Sequence, residues 1–271
     1  MPDLLRQALL LVPVGVAVGF AGSLIGVGGG FFIVPFLLFH PERFTPQTAT
    51  AASLGIVFLS AVSATVGNAP RRRIDYRTGG VLAAGTLPGA WIGREVIGRI
   101  TDRQFSIAFG TLLVLIAFYL AVVRLKPGGG LVRGAPRRHR DGDGREHAYE
   151  VNAPLGVGVG LGVGLVSSLF GVGGGLLLVP FMALAYGMPA ILATSTAQFA
   201  FVFTALVGFL EAARRGHVTG PGLEAMATLG VGVMAGAQIG VALARHVREK
   251  VVRAAISAVL AGVALWMFLR E

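Results

Sequence analysis

Ser23-Leu24-Ile25-Gly26-Val27-Gly28-Gly29-Gly30, running on through Phe31-Phe32-Ile33-Val34-Pro35-Phe36, decides the reading of this chain because it occurs twice. The second copy is Ser168-Leu169-Phe170-Gly171-Val172-Gly173-Gly174-Gly175, followed by Leu176-Leu177-Leu178-Val179-Pro180-Phe181. Consecutive glycines make poor helix interior, each costing about 1 kcal/mol against alanine. A helix that stops at the cluster and restarts accommodates them, with Pro35 or Pro180 early in the new segment, where a missing N–H matters little. Other matches follow in the same order. Gly89-Ala90-Trp91-Ile92-Gly93 pairs with Gly236-Ala237-Gln238-Ile239-Gly240, Ala52-Ser53 with Thr194-Ser195-Thr196, and Arg71-Arg72-Arg73 with Arg214-Arg215. Matches in constant order identify a duplication: a first repeat over 1–124, a polar basic linker over 125–151, and a second repeat over 152–271.

The flanking composition is that of a membrane protein. Only 13% of residues are charged, 54% are hydrophobic and the mean hydropathy is +0.75. No Asp, Glu, Lys or Arg occurs from Gln7 to Pro41 or from Val151 to Leu210. Crossing the hydrocarbon takes ~20 apolar residues, so each stretch exceeds one crossing. The 41 glycines fit tight helix packing in lipid. Long uninterrupted apolar runs are unlike the alternating strands of a membrane barrel. The net charge of +10 sits at segment ends, as topology signals do, and is no nucleic-acid footprint. Arg6 with the apolar run to Phe20 has the look of a signal peptide. Cleavage there would cut into the first repeat, so it is expected not to occur.

Each half divides into five hydrophobic pieces, at about 7–26, 29–39, 47–68, 78–98 and 104–123, then 153–171, 174–187, 190–211, 221–243 and 251–269. The fold predicted is all-α and integral to the membrane, with about 8–10 transmembrane segments, depending on whether each short second piece turns back or completes a crossing. One crossing per broken pair makes the halves parallel; two make them inverted. The positive-inside rule puts Arg71 to Arg73 and the Arg137-rich linker in the cytoplasm either way. Arg214-Arg215 would join them in the parallel arrangement, and Arg245, Arg248, Lys250 and Arg253 in the inverted one. The inverted arrangement is preferred because transporters often use it. The linker, without apolar periodicity, is expected to be a mobile tether.

A helix N-terminus presents unpaired N–H groups and about half a positive charge, so two such ends facing each other at mid-membrane form an anion site. Ser23, Gly26, Gly28, Gly29 and Gly30 from one half, with Ser168, Gly171, Gly173, Gly174 and Gly175 from the other, are the candidate lining. Ser53, Thr194, Ser195 and Gln198 supply polar groups in the third pieces, although hydroxyls in such helices usually bond their own backbone. Close crossing of helices is the plainer role for the glycines. The alternating Gly156, Gly158, Gly160, Gly162 and Gly164 show no interpretable helical period. Arg94 and Glu95 are candidates for countering an anion and relaying a proton. Their place near Arg99 also lets both snorkel outward. Glu211 has Arg214 and Arg215 as structural partners. Nothing points to an enzyme. No Lys-Ser/Thr follows the glycines as a nucleotide loop needs, there is no cysteine, and His40, His139, His147, His217 and His246 lie at segment ends or in the linker, with no metal spacing.

With the G-x-G-G-G clusters, the hydroxyl-rich third pieces and G-A-x-I-G present in both halves, the sequence resembles the TauE/SafE family of membrane permeases, over the whole chain outside the linker. The resemblance implies a secondary transporter exporting, or taking up, small sulfur-containing anions such as sulfite and organosulfonates. It also implies that Gly26 to Gly30, Ser53, Gly171 to Gly175 and Thr194-Ser195 hold the family's paired motif positions. The first half departs from the pattern, with Ala51-Ala52-Ser53 where the second has Thr194-Ser195. A non-transporting membrane scaffold is the alternative, and a scaffold needs no symmetric break at mid-membrane. The expected partners are a small anion and the bilayer, with no nucleic acid, metal or cofactor; a homo-oligomer is left open.

Overall fold

A computed structural model describes residues 2–26, 28–39, 44–122, 130–244 and 249–269. His40, Arg124, Gly128, Arg245, His246 and Arg248 lie outside the described residues. The order is α1 (Pro2–Ile25), α2 (Gly30–Leu38), α3 (Pro46–Asn68), α4 (Tyr76–Ile97), α5 (Asp102–Val122), β1 (Ala135–Arg140), β2 (Glu146–Val151), α6 (Ala153–Phe170), α7 (Gly175–Ala185), α8 (Ala190–Arg214), α9 (Gly220–Leu243) and α10 (Glu249–Leu269). Of these, α3, α5, α6, α8 and α9 are long and apolar enough to cross a membrane. The nine residues of α2 rise only about 14 Å, half the hydrocarbon thickness.

Local chemistry sets the helix starts. Thr45 and Thr48 form a reciprocal capping box ahead of α3, with Pro46 at its first position. Asp75 accepts from the Arg77 and Thr78 amides at the start of α4, and Thr219 accepts from the Gly222 amide at the start of α9.

Glycines set the packing. Along α1 and α9, a Cβ on Gly15 or Gly19 would overlap the Leu229 or Val233 carbonyl, and one on Gly232 or Gly236 the Val12 or Val16 carbonyl. The same contact recurs between α4 and α6, where Gly85, Gly89 and Gly93 lie on the Val157, Leu161 and Leu165 carbonyls. Residue numbers rise together in both pairs, so each pair runs parallel. The G-A-x-I-G motif is thus the floor of a helix crossing, as small residues spaced by four allow in lipid. The glycine alternation in α6 resolves into two helical faces. Gly156, Gly160 and Gly164 pack under α4 and the Tyr186 hydroxyl, whereas nothing lies near Gly158 or Gly162.

The principal pairings exchange when each helix is replaced by the one five places on: α1 on α9 with α6 on α4, α2 on α3 with α7 on α8, and α3 on α9 with α8 on α4. The two long central helices α3 and α8 run antiparallel. Asn68 at the end of α3 donates to Gln198 near the start of α8 (3.2 Å), while the start of α3 lies with Arg94 and, beyond the end of α8, His217.

The linker departs from expectation. Rather than a mobile tether, residues 135–151 form an antiparallel hairpin, Ala135 opposite Val151 through Arg140 opposite Glu146. What orders it is a set of attachments that its own composition does not reveal. The Gly142 amide donates to the Arg71 carbonyl (2.9 Å) and the Glu150 amide to the Tyr186 carbonyl (3.3 Å), and His139 bonds the Arg72 carbonyl (2.8 Å). Buried Asp75 accepts from the Tyr149 hydroxyl (2.7 Å) and from Arg137 (3.4 Å), while its own amide donates to Thr196 of α8 (3.0 Å). Burial raises the Asp75 carboxyl, but the bonds from Thr78 and Tyr149 and the Arg137 charge outweigh it and hold it below its ordinary range. This attachment is therefore complete above the ordinary carboxylate range and is lost as pH falls through the depressed value.

Asp75→Ala removes a helix cap worth about 1 kcal/mol and leaves the buried Tyr149 hydroxyl without its acceptor. Trypsin should cut at Arg138, Arg140 or Arg145 at least several-fold faster in that variant than in the wild type. Equal cutting rates would mean that the hairpin holds without Asp75.

Candidate functional site

The two glycine clusters meet each other. Gly26, Gly28 and Gly29 have φ of 79°, 73° and 81°, the left-handed region that glycine enters without strain, and so do Gly171 and Gly173 at 66° and 68°. Gly174 differs from its counterpart Gly29, with φ of −65°. Gly30, first in α2, lies against the Gly171 carbonyl, and Gly175, first in α7, lies against the Gly26 carbonyl so closely that a Cβ on either would overlap it. Thr194 of α8 covers Gly26, and Thr50 of α3 covers Gly171. Thr50 is therefore the counterpart of Thr194. The sequence matching of Ala52-Ser53 with Thr194-Ser195 is displaced by about half a turn.

The side chains divide into those held at the breaks and those turned away. The Ser53 hydroxyl donates to the Gly171 carbonyl (2.7 Å), across the two halves. Gln198 donates to the Ser23 carbonyl (3.2 Å) just before the first cluster. The Ser23 hydroxyl turns back to the Phe20 carbonyl (3.0 Å), and Ser195 to that of Ile191 (2.9 Å). Ser168 is fully buried, and its hydroxyl has no hydrogen-bond partner.

Arg94 corrects the snorkelling expectation. It is 0% exposed. Its guanidinium donates to the Thr50 hydroxyl (2.9 Å), the Gln47 carbonyl (3.4 Å) and His217 Nδ1 (3.0 Å), and its Nε is buried without a partner. No carboxylate among the described residues pairs with it. Its sequence neighbour Glu95 pairs instead with Arg215 (2.6 Å) and Arg99 (2.8 Å). Glu211 holds Arg214 (2.9 Å), the structural pairing the sequence suggested. Through Thr50, Arg94 stands one side chain from the second glycine break.

Thr50, one of several polar residues of the third piece, and His217, a histidine at a segment end, are not singled out as site residues by the sequence. Arginine has no acceptor, so His217 Nδ1 is unprotonated in this contact and the ring is neutral. Burial, then the Arg94 and Arg215 charges, push the imidazole below its usual value. The signal for this cluster existed. In the inverted arrangement preferred from the sequence, the end of α4 and the loop after α8 fall on the same side.

The profile of the family described as sulfite exporter TauE/SafE matches residues 11–267. The chain is 32% identical to "Probable membrane transporter protein YunE" of Bacillus subtilis, over 90% of this chain and 91% of the relative. It is 26% identical to a "Probable membrane transporter protein" of Methanocaldococcus jannaschii, over 96% of this chain and 95% of the relative. A "Probable membrane transporter protein" of Haemophilus influenzae is 26% identical, over 64% of this chain and 62% of the relative. No solved structure matches the chain.

Proposed function

This chain belongs to the sulfite exporter TauE/SafE family and is a multi-pass membrane transporter, and we propose that it exports small sulfur-containing anions, such as sulfite or organosulfonates, through a site between the paired glycine breaks. One observation carries the reading: Arg94, wholly buried and with no carboxylate partner among the described residues, sits behind Thr50 at the Gly171 break. A charge held inside a membrane protein is costly unless something compensates it, and an anion moving along the breaks supplies that compensation. Gly26 to Gly30 and Gly171 to Gly175 bring backbone close to the ion. The Ser168 hydroxyl and the first amides of α2 and α7 are the donors available to it.

The exchange of packing pairs between the halves supports a duplication in which each repeat carries one broken helix and the two repeats are inverted. The hairpin end gathers Arg71, Arg72, Arg73, Arg77, Arg133, Arg137, Arg138, Arg140 and Arg145, which orients it to the cytoplasm by the positive-inside rule. The Arg94 end then faces outward. The close contact of Gly30 with Gly171 and of Gly175 with Gly26 reads as a closed centre that must part for an ion to pass.

Purified protein should melt higher with sulfite or ethanesulfonate than with chloride at equal ionic strength. A ligand at a hundred times its Kd stabilises by about 2.7 kcal/mol. If no sulfur oxyanion shifts the transition at any concentration, the site does not bind them.

A further inference from the structure

The Arg94–His217 contact carries more than a fixed positive charge. Arg94 uses one guanidinium nitrogen on the Thr50 hydroxyl and the other on the Gln47 carbonyl and on His217 Nδ1. An incoming oxyanion binds best to the same fork, two parallel N–H donors offered to two oxygens. Taking that fork withdraws the hydrogen bond from Nδ1 and brings negative charge beside the ring. Both changes favour protonation: the lone pair is released, and the imidazolium, which an uncompensated Arg94 repels together with Arg215, now faces an Arg94–anion pair.

We propose that His217 is the proton-accepting partner of the anion site, so that occupancy of Arg94 by an anion takes up one proton at Nδ1. This rests on the anion-site reading above and adds a proton linked to the occupancy of that site. The bond changes balance: the Arg94 N–H to His217 contact is exchanged for Arg94 N–H to anion oxygen, and a proton from solvent adds to the vacated nitrogen lone pair.

The surrounding charges leave His217 as the group able to do this. From α4 come Arg94 and Glu95, and from the end of α8 come Glu211, Arg214 and Arg215. Glu95 is already held by two arginines, and Glu211 is bound by Arg214. The start of α3 offers Gln47 and Thr50, which do not titrate. Glu224 of α9 is exposed. His217 itself is half-buried in the loop between α8 and α9, within reach of solvent protons. With neutral histidine in the empty state, a monoanion and a proton enter together, and the net charge of the site is unchanged by occupancy.

The test is calorimetric titration of the full chain with ethanesulfonate, a monoanion throughout the working range, at one pH in buffers of different protonation enthalpy. The wild type should take up close to one proton at a pH between the free and occupied histidine values. Affinity there should rise up to ~10-fold for each unit of falling pH, the slope of one linked proton. His217→Asn keeps an acceptor for Arg94 and loses the titration. It should bind with no proton uptake and with an affinity flat in pH; His217→Gln serves where the asparagine variant is unstable. Wild-type binding with no buffer dependence overturns the proposal while leaving the anion site standing, and so does undiminished proton uptake in the His217 variants. Failure of the wild type to bind ethanesulfonate or sulfite at all sinks both readings.

Discussion

Gly175→Ala should disable transport and cost the protein up to about 3 kcal/mol, the upper range for forcing extra volume into a packed interior. The added Cβ would lie on the Gly26 carbonyl, and Phe201 closes the other side at 2.7 Å from the same position. A backbone carbonyl cannot rotate away as a flexible side chain can, so the two breaks must separate. Gly30→Ala should act alike, because its Cβ would lie on the Gly171 carbonyl that Ser53 also holds. The contrast is with Gly162→Ala in α6. Nothing lies within contact of that position, and alanine in a helix is favoured over glycine by about 1 kcal/mol. That variant should transport normally and melt no lower than the wild type. Measuring unfolding in mixed micelles and uptake in vesicles for all three separates the cases. Wild-type transport with Gly175→Ala would show that the meeting of the clusters is incidental.

What the sequence made legible was what repeats or has a strong period. The glycine-proline pattern located the ends of α1 and α6 to within a residue or so, because triple glycine followed by an apolar run has few alternatives as a helix. Register between halves was harder. Matching Ala52-Ser53 to Thr194-Ser195 followed residue type, whereas the contacts follow the glycines: Gly171 packs on Thr50 and Gly26 on Thr194. The glycine alternation of α6 resisted reading because two faces, one packed and one open, are superposed at the same four-residue spacing. The hairpin was missed for a different reason. Its order comes from Asp75, Arg71, Arg72 and Tyr186, all distant in sequence, so a local test of apolar periodicity had nothing to detect. The sequence offers Arg94 both as a counter-charge for an anion and as a snorkelling end, and does not choose between them. Counting residues to Arg99 gave its depth along the helix and not its face, and the face is what points it at Thr50 and His217.

Arg94→Gln should weaken anion binding at least ~30-fold and abolish net transport while leaving the melting temperature unchanged or higher. The two halves of that expectation have separate causes. For binding, removing one member of a buried, hydrogen-bonded charge pair costs about 2–5 kcal/mol, and 2 kcal/mol is already near 30-fold. For stability the sign reverses. The guanidinium is 0% exposed, meets no carboxylate among the described residues, and leaves Nε unpaired. Such a charge pays for desolvation without a compensating ion, so a neutral side chain that can still bond Thr50 relieves it. Arg94→Lys separates charge from geometry. The ammonium keeps the positive charge but presents a point and not a planar fork, and it cannot span Thr50 and His217 together. It should retain part of the binding and lose the discrimination for oxyanions over chloride. A purely structural arginine would give the opposite pattern, with Arg94→Gln melting several degrees lower and the surviving protein transporting at the wild-type rate.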